Sequence, residues 1–335
     1  MGQYLIRRLA LIAVTLGGLS VLTFAISRIA PGDPARLAAG PQATEAMVAH
    51  LRHEFGLDRP VWVQYLRYLD HVGRGDLGVS LMTARPVRAD LGLFFGATLE
   101  LVLFSLLFAA AAGVLMGVLS AVYQNRPVDH ASRLVAITGL GMPEFWLALM
   151  LQLALASHFR LLPLGGQLGI GVAPPPPATR LDLVDSLLAG QWATFANALQ
   201  HIVLPAIALS FPALASIIRI SRADMLDTLP REFVRTARAK GLPQRAVILR
   251  HALRNALLSS VTMIGLRFGW MLGGTVLVEK VFDWPGIGLY MVTAAAASDF
   301  EPVMGVTLLV GLSFALANLL VDIGYGLMDP TIRYA

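Results

Sequence analysis

Long apolar runs with almost no charge are the feature of this sequence that most restricts its fold. Residues 9–27 and 101–122 carry no charged side chain, and similar runs cover about 134–157, 201–218, 256–278 and 303–321. A helix needs about 20 mainly apolar residues to cross the hydrocarbon core of a bilayer. Because the chain is 56% hydrophobic and only 14% charged, we predict an all-α membrane protein with six transmembrane helices.

The first run has a second interpretation, since a cleaved signal peptide also begins with an apolar stretch. Its 19 uncharged residues exceed the roughly 7–15 residues of a usual signal-peptide core, and no A-x-A-like cleavage site follows. We therefore predict that residues 9–27 are retained as the first span.

The distribution of basic residues predicts the orientation. If both termini are cytoplasmic, the short inward segments hold fourteen Lys and Arg, whereas the short outward loops hold only Arg160, Arg180 and Lys280. Such an excess is typical of cytoplasmic loops, and long loops are left out of the comparison. The sequence thus predicts cytoplasmic termini, a first part at 1–30, an extracytoplasmic segment at 31–97 and a five-span core at 98–335.

Two outward segments have recognisable patterns. In the 31–97 segment, apolar residues recur at helical spacing in two sets: Met47, Leu51 and Phe55, and then Trp62, Leu66 and Leu69. They predict two short amphipathic helices on the outer membrane face, the second starting near Asp58 and Pro60. The outer loop at 158–200 contains LLPLGGQLGIGVAPPPP, which predicts an ordered turn followed by a stiff linker.

Motifs for catalysis are missing. With no cysteine, the chain has no disulfide, thiolate metal site or cysteine nucleophile. Neither Lys240 nor Lys280 stands in a P-loop, and HLRHE at 50–54 has the wrong order for a zinc protease. We therefore expect no enzyme site, no metal and no cofactor bound by this chain.

Two of the predicted spans contain regularly spaced glycines. Gly265, Gly269 and Gly273 recur every four residues in the fifth span, as do Gly113 and Gly117 in the second. Small residues allow close helix approach, either within the chain or at a subunit interface.

Glu144 and Arg267 are the two charges within the predicted spans, at similar depth if both spans start from the cytoplasmic side. Charges at that depth pair with one another or line a transport path. Both interpretations stay open: an ion pair joining two helices, or path residues that meet the charged ends of a peptide.

The largest predicted cytoplasmic loop, at 219–254, carries nine Lys and Arg. Asp227 or Thr228 is expected to cap a helix that begins at Pro230, Gly241 to end it, and a second helix to start near Gln244. A lipid-binding basic patch and an ordinary positive-inside loop both account for the charge. Neither accounts for the apolar residues between the charges.

At this loop the sequence resembles a known family. FVRTARAKGLPQRAVILRHALRNA at 233–256 is similar to the cytoplasmic loop of permease subunits in ABC importers of the dipeptide and oligopeptide family. Further segments resemble that family in order: RIAPGDP at 28–34, FGLDRPVWVQYLRYL at 55–69, GDLGVS at 75–80, LLPLGG at 161–166, EKVFDWPGIG at 279–288 and VDIGYGLMDPTIRY at 321–334.

The resemblance implies a function and a set of site residues. The loop helix, at about 229–241, would be the coupling helix that docks on an ATPase subunit. Its coupling residues would be Phe233, Val234, Arg235, Thr236, Ala237, Lys240 and Gly241. The broad importer pattern has Glu-Ala-Ala where this chain has Arg235, Thr236 and Ala237, but the peptide branch commonly reads RTA.

The resemblance also implies partners. They are a second homologous permease subunit, two ATP-binding subunits that hold ATP and Mg, and an extracytoplasmic binding protein that delivers a peptide. The 31–97 segment, with Asp33, Asp58 and Asp76, would face the binding protein. The expected location is the bacterial inner membrane, with no role for nucleic acid.

The chain departs from the family at the two intramembrane charges. The family commonly has a small residue at the position of Glu144 and a neutral polar residue near Arg267. Relatives also carry nickel chelates, glutathione, antimicrobial peptides or oligosaccharides, so these solutes are alternatives to peptides. An ion-coupled secondary transporter is a further alternative, which the absence of a clear internal repeat disfavours.

Overall fold

The computed structural model describes residues 2–29, 33–40 and 42–328, and their regular structure is helical. The helices are, in chain order, α1 (Gly2–Ile29), α2 (Pro34–Ala39), α3 (Glu45–Glu54), α4 (Val61–Gly73), α5 (Val87–Val122), α6 (Pro127–Gly141), α7 (Glu144–Leu151), α8 (Asp182–Leu188), α9 (Trp192–Thr228), α10 (Glu232–Ala239), α11 (Gln244–Ala246), α12 (Leu253–Phe282), α13 (Ile287–Ala296) and α14 (Phe300–Met328). Two π-helical turns continue α7 and α11, at Gln152–His158 and Val247–Ala252.

The predicted all-α fold with long apolar helices is confirmed for the described residues. Five helices, α1, α5, α9, α12 and α14, are long and apolar enough to cross a bilayer, and α6 with α7 supplies a sixth span if that bent pair crosses once. The apolar runs underestimate the length of some helices. α5 contains 36 residues and α9 contains 37, and both extend beyond their apolar runs.

The third predicted span is not a straight helix. α6 ends at Gly141 and α7 begins at Glu144, and the two axes are bent by 112°. Pro143 disfavours a helical conformation at the residue before it, and Met142 accordingly has φ −94° and ψ 126°. Glu144 therefore lies at the start of a second helix. The bend lies inside the third predicted span, so Glu144 is next to a helix break that the apolar run did not predict.

The chain divides into two compact units, the first comprising residues up to Thr98 together with Pro285–Ala315. Its core joins the start of α5 to α13 and α14 through Val87, Leu91, Ile287, Tyr290 and Val306. Buried hydrogen bonds reinforce it, because Asp90 accepts from Thr83 Oγ1 at 2.6 Å and from Tyr290 Oη at 2.9 Å.

The second unit comprises Leu99–Trp284 and the chain from Leu316 onward. Its central element is α9, since 78% of the residues in the apolar stretch of α9 are buried, compared with 39% for α5. Gly117 lets α5 approach α9 closely, because an added Cβ would lie 2.6 Å from Ser221 Cβ. Gly265 likewise accommodates Val321 of α14. These contacts assign both glycines to packing within the chain.

The two amphipathic helices predicted in the 31–97 segment are present as α3 and α4. Their apolar faces are not covered by the described part of the chain, since Met47 is 52% exposed, Trp62 67% and Leu66 56%. A hydrophobic face on a surface helix is typical of contact with a membrane interface or a partner.

Buried polar groups order the loop at 158–200. Glu100, at 4% exposure, accepts hydrogen bonds from the Leu183 amide at 2.6 Å and from Gln167 Nε2 at 2.8 Å. Asp185 accepts from the amides of Ala178, Thr179 and Arg180. The short helix α8 that carries Asp185 was not predicted from the sequence.

Candidate coupling helix and charged cavity

The predicted loop helix is present as α10, shorter than the predicted 229–241. It begins at Glu232, with Arg231 as N-cap and no capping side chain. The expected caps were wrong, because Asp227 and Thr228 form the last turn of α9, which runs further than its apolar stretch.

Gly241 ends this helix as predicted. Its φ of +76° lies in the left-handed region, which glycine adopts without steric cost. The Gly241 amide donates to Arg238 O at 2.9 Å, and the chain then turns into α11 at Gln244. The π-helical turn at Val247–Ala252 leads directly into α12.

α10 has a buried face and an exposed face. Val234 is 0% exposed and Ala237 is 4% exposed, within a cluster formed with Val118, Ala121, Met225, Val247, Ala252 and Ala256. The other five predicted coupling residues are exposed, namely Phe233, Arg235, Thr236, Lys240 and Gly241. The structure thus divides the predicted set into two anchors and five residues available for contact.

A buried ion pair lies in the same unit as this cluster and was not predicted. Asp129 of α6 has a fully buried side chain, and Arg222 of α9 donates to it through Nε at 2.8 Å and a second nitrogen at 3.1 Å. Ser120 Oγ and the Asn125 amide also donate to Asp129. The sequence places Arg222 among the loop charges, because only the tertiary structure brings a carboxylate to it.

Glu144 and Arg267 line one cavity of about 410 Å³ in the second unit. Arg267 donates a hydrogen bond to Ser216 Oγ of α9. No salt bridge within 4 Å joins the two charges, although both are described. The rest of the lining is Leu209, Pro212, Ala213, Trp270, Met271, Gly273 and Gly274.

The three aspartates expected to face a binding protein lie in the first unit. Asp33 accepts a hydrogen bond from the Ala35 amide at the start of α2 and forms an ion pair with Arg52. Asp58 lies 2.7 Å from His53 Nδ1. Asp76 accepts from the Gly78 amide at 3.0 Å. Each therefore stabilises a local turn or helix end as well as presenting charge.

Two of these carboxyl groups have shifted pKa values. The hydrogen bond with His53 lowers the pKa of Asp58 below its usual value. For Asp33, burial acts to raise the pKa, but hydrogen bonds from Arg52 and the Ala35 amide outweigh it, so the pKa is lowered. Both groups are thus held as carboxylates at neutral pH.

Comparison with known families covers nearly the whole chain. Residues 113–334 match the family described as the binding-protein-dependent transport system inner membrane component. Residues 1–88 match the N-terminal family of the same membrane components. The resemblance to importer permease subunits is therefore confirmed.

Individual relatives agree with this assignment. The chain is 46% identical over 321 residues to the probable D,D-dipeptide transport system permease protein DdpB of Escherichia coli K12, covering 96% of this chain and 94% of the relative. It is 41% identical to the dipeptide transport system permease protein DppB of the same strain, over 99% of both. It is 36% identical to the glutathione transport system permease protein GsiC of Salmonella paratyphi A, over 99% of both.

The long apolar helices, the loop helix with its anchored face and the two family matches lead to one assignment. The chain belongs to the family of inner-membrane components of binding-protein-dependent transport systems, as a multi-pass permease subunit.

Proposed function

We propose that this chain forms half of the translocation path of an ATP-driven importer of short peptides. A second homologous permease subunit forms the other half, and an extracytoplasmic binding protein delivers the peptide. The observation that carries the proposal is the near-full-length identity to permease proteins of a D,D-dipeptide and a dipeptide transport system.

The orientation of the chain follows from its charges. Both termini lie in the cytoplasm and the 31–97 segment lies outside, because basic residues are concentrated in the short inward loops. In this orientation Asp33, Asp58 and Asp76 face the binding protein. The exposed apolar faces of α3 and α4 lie in the outer membrane interface.

α10 serves as the coupling helix for an ATP-binding subunit. Its exposed face presents Phe233, Arg235 and Lys240, and cationic side chains are suited to acidic groups on a partner. ATP and Mg are held by two such partner subunits. Individual exposed ion pairs contribute little, so we expect Phe233, 40% exposed, to supply much of the contact.

The buried face of α10 transmits the motion of the partner. Val234 and Ala237 fix α10 to the ends of α5, α9 and α12, so a displacement of α10 moves these helix ends with it. Since α11, the π-helical turn and α12 follow one another directly, the motion continues along α12 toward Arg267 at the cavity. Closure of the ATP-binding subunits would then open the path outward.

A second candidate solute is glutathione or a similar tripeptide. The identity of 36% to a glutathione permease over 99% of both chains favours it. The architecture and the ATP-driven mechanism are the same for both solutes.

The proposal is tested with the native importer, purified through a tag on this chain and reconstituted in vesicles with its binding protein. We expect ATP-dependent uptake of labelled dipeptides, and none by vesicles that contain this chain alone. Uptake by the chain alone, driven by an ion gradient, would instead support a secondary transporter. Uptake of glutathione but not of dipeptides would support the second candidate.

The coupling role is tested by reversing one exposed charge of α10. We expect Arg235→Glu to reduce the amount of ATP-binding subunit that copurifies with this chain, because like charges at an interface repel. The matched control is Arg160→Glu in the outer loop, which should leave copurification unchanged. Equal recovery of the ATP-binding subunit with both variants would argue against docking at α10.

A further inference from the structure

Two opposite charges face the same cavity of the second unit without joining each other. Glu144 at the start of α7 and Arg267 of α12 both line the cavity of about 410 Å³. Arg267 donates its hydrogen bond to Ser216. Glu144 has no hydrogen bond, and no ion pair within 4 Å, with any residue in the described part of the chain, although the charge of Arg267 is near enough to attract it.

The helix break places the carboxylate at the junction of two cavities. A second cavity of about 400 Å³ is also lined by Glu144, Pro212, Gly273 and Gly274. A Cβ added at Gly274 would lie 3.4 Å from Glu144 Oε2, and one at Gly273 would meet no atom within 4 Å. The carboxylate thus faces glycine backbone and open space.

Separated charges in an apolar surrounding are costly, and a transport protein that keeps them uses them for ions or substrates. A stable structural pair would be in contact, since removing charges from water is offset only by close pairing and hydrogen bonds. An acid and a base that line one cavity without a direct salt bridge match a solute that carries both an ammonium and a carboxylate.

The cavity also suits such a solute in size and lining. Binding cavities for small molecules are typically about 300–1,000 Å³, mainly apolar with a few polar groups. Leu209, Ala213, Trp270 and Met271 supply an apolar wall beside the two charges, against which a peptide side chain would pack.

We propose that Glu144 and Arg267 form a binding site for the two charged ends of a short zwitterionic peptide, an inference that rests on the proposed function. Glu144 receives the terminal ammonium. Arg267 receives the terminal carboxylate through its guanidinium, whose planar array of donors fits a carboxylate. The site selects solutes with both ends free.

Uptake of end-blocked peptides by the reconstituted importer tests this site. The probes are one dipeptide with free ends, its N-acetyl form and its C-terminal amide, each used at a concentration that saturates the binding protein. A charge-assisted hydrogen bond is worth about 1.5–3 kcal/mol, so Glu144→Gln should lower uptake of the free dipeptide by roughly ten- to a hundredfold. Its uptake of the N-acetyl form should stay at the unmodified importer's level. Arg267→Gln should likewise lower uptake of the free dipeptide, and its uptake of the C-terminal amide should stay at the unmodified importer's level.

Thiol protection gives a second readout that does not depend on the binding protein. Because the chain contains no cysteine, Gly273→Cys introduces its one thiol at the cavity. We expect the free dipeptide to slow labelling of this thiol by a methanethiosulfonate reagent, and the doubly blocked peptide not to do so. The control is Ala189→Cys, exposed beside α8, where neither peptide should change the labelling rate.

The outcomes separate this inference from the proposed function. If the unmodified importer takes up peptides but both charge variants keep its preference for free ends, the site is wrong and the function stands. If the unmodified importer takes up no peptide at all, the proposed function is wrong, and the site that rests on it is wrong as well. Loss of assembly in both single variants with recovery in Glu144→Arg/Arg267→Glu would mean a structural pair and overturn the site. Equal protection by free and blocked peptides would also overturn it, without any charge variant.

Discussion

Gly241 is a residue whose backbone angle alone explains its identity. Its φ is +76°, and an added Cβ would meet no atom within 4 Å. A side chain there would have room but would be strained, because the left-handed conformation costs an L-residue about 1–2 kcal/mol. The glycine therefore sets the direction in which the chain leaves α10.

We expect Gly241→Val to uncouple ATP hydrolysis from transport, lowering the amount of peptide carried per ATP severalfold while membrane insertion is retained. The measurement is ATPase activity and uptake on the same vesicles. The matched control is Gly190→Val, since Gly190 has φ +66° and equally open surroundings but lies after α8. Normal coupling in Gly241→Val would contradict the role given to α10.

Asp129 is a residue whose importance depends on burial. Its side chain is fully buried and it is bound by Arg222, Ser120 and the Asn125 amide. Arg133 also lies 3.5 Å from this carboxylate. Neutralising Asp129 removes its charge-assisted hydrogen bonds, each worth about 1.5–3 kcal/mol, but the arginines left behind still reach solvent.

Asp129→Asn should therefore lower the thermal stability of the purified importer, by about 1.5–3 kcal/mol in free energy of unfolding. Glu45→Gln is the control, because Glu45 pairs with Arg36 at 2.5 Å where both side chains are more than half exposed. That exposed pair should contribute little to stability, because solvent screens it. Melting curves followed by intrinsic fluorescence measure both, and equal shifts would show that Asp129 is not a structural anchor.

At the scale of elements, two glycines of α5 allow its close approach to α9. Gly113 and Gly117 lie against Ile217 and Ser221, with added Cβ atoms 2.8 Å and 2.6 Å from side-chain carbons there. Backbone atoms of α9 are also close to Gly117, with Ile218 O at 2.9 Å from an added Cβ. Larger residues would push the helices apart.

Gly117→Ala should consequently destabilise the importer by about 1–3 kcal/mol, since an overpacked contact forces the backbone to shift. Gly18→Ala is the control within a helix, because a Cβ at Gly18 meets nothing within 4 Å. There alanine should be neutral or stabilising by up to about 1 kcal/mol, through its higher helix propensity. Thermal unfolding in detergent distinguishes the two variants. Equal stability of both would show that α5 and α9 do not need a glycine at position 117 to pack.

At the scale of the whole molecule, orientation in the membrane depends on charges at the ends of the spans. The loop that contains α10 is the most basic, whereas the loop at 158–200 has only two basic residues, Arg160 and Arg180. Positive charge favours the cytoplasmic side. α10 and α8 should therefore lie on opposite faces of the bilayer.

Single thiols in this cysteine-free chain measure the orientation directly. Ala239→Cys in the last turn of α10 should react with a membrane-impermeant maleimide only after the cells are opened. Ala189→Cys should react in intact cells. Both positions are exposed, so burial does not account for a difference, and the reverse pattern would invert the proposed topology.

Several features were predictable because they follow from the solvent and from local geometry. The apolar runs predict the spans, and the residue pattern at 230–246 predicts a helix, a turn at Gly241 and a second helix. The break at Pro143 escapes a hydropathy argument because the apolar stretch continues through it, although a proline inside a span is a signal for such a break. Hydropathy also fails to predict the length of α9, because the helix continues through residues 219–228, which include several polar side chains.

The sequence by itself determined that the chain crosses a membrane and to which family it belongs, and it predicts the orientation. These properties depend on local hydrophobicity, on charge at the helix ends and on ordered motifs, none of which requires knowledge of distant contacts. Only the tertiary structure decided that Val234 and Ala237 anchor α10, that Arg222 pairs with Asp129, and that Glu144 and Arg267 line one cavity without a direct salt bridge. Residues distant in the chain meet there, and the cost of burying a charge depends on which neighbours the packing brings within reach.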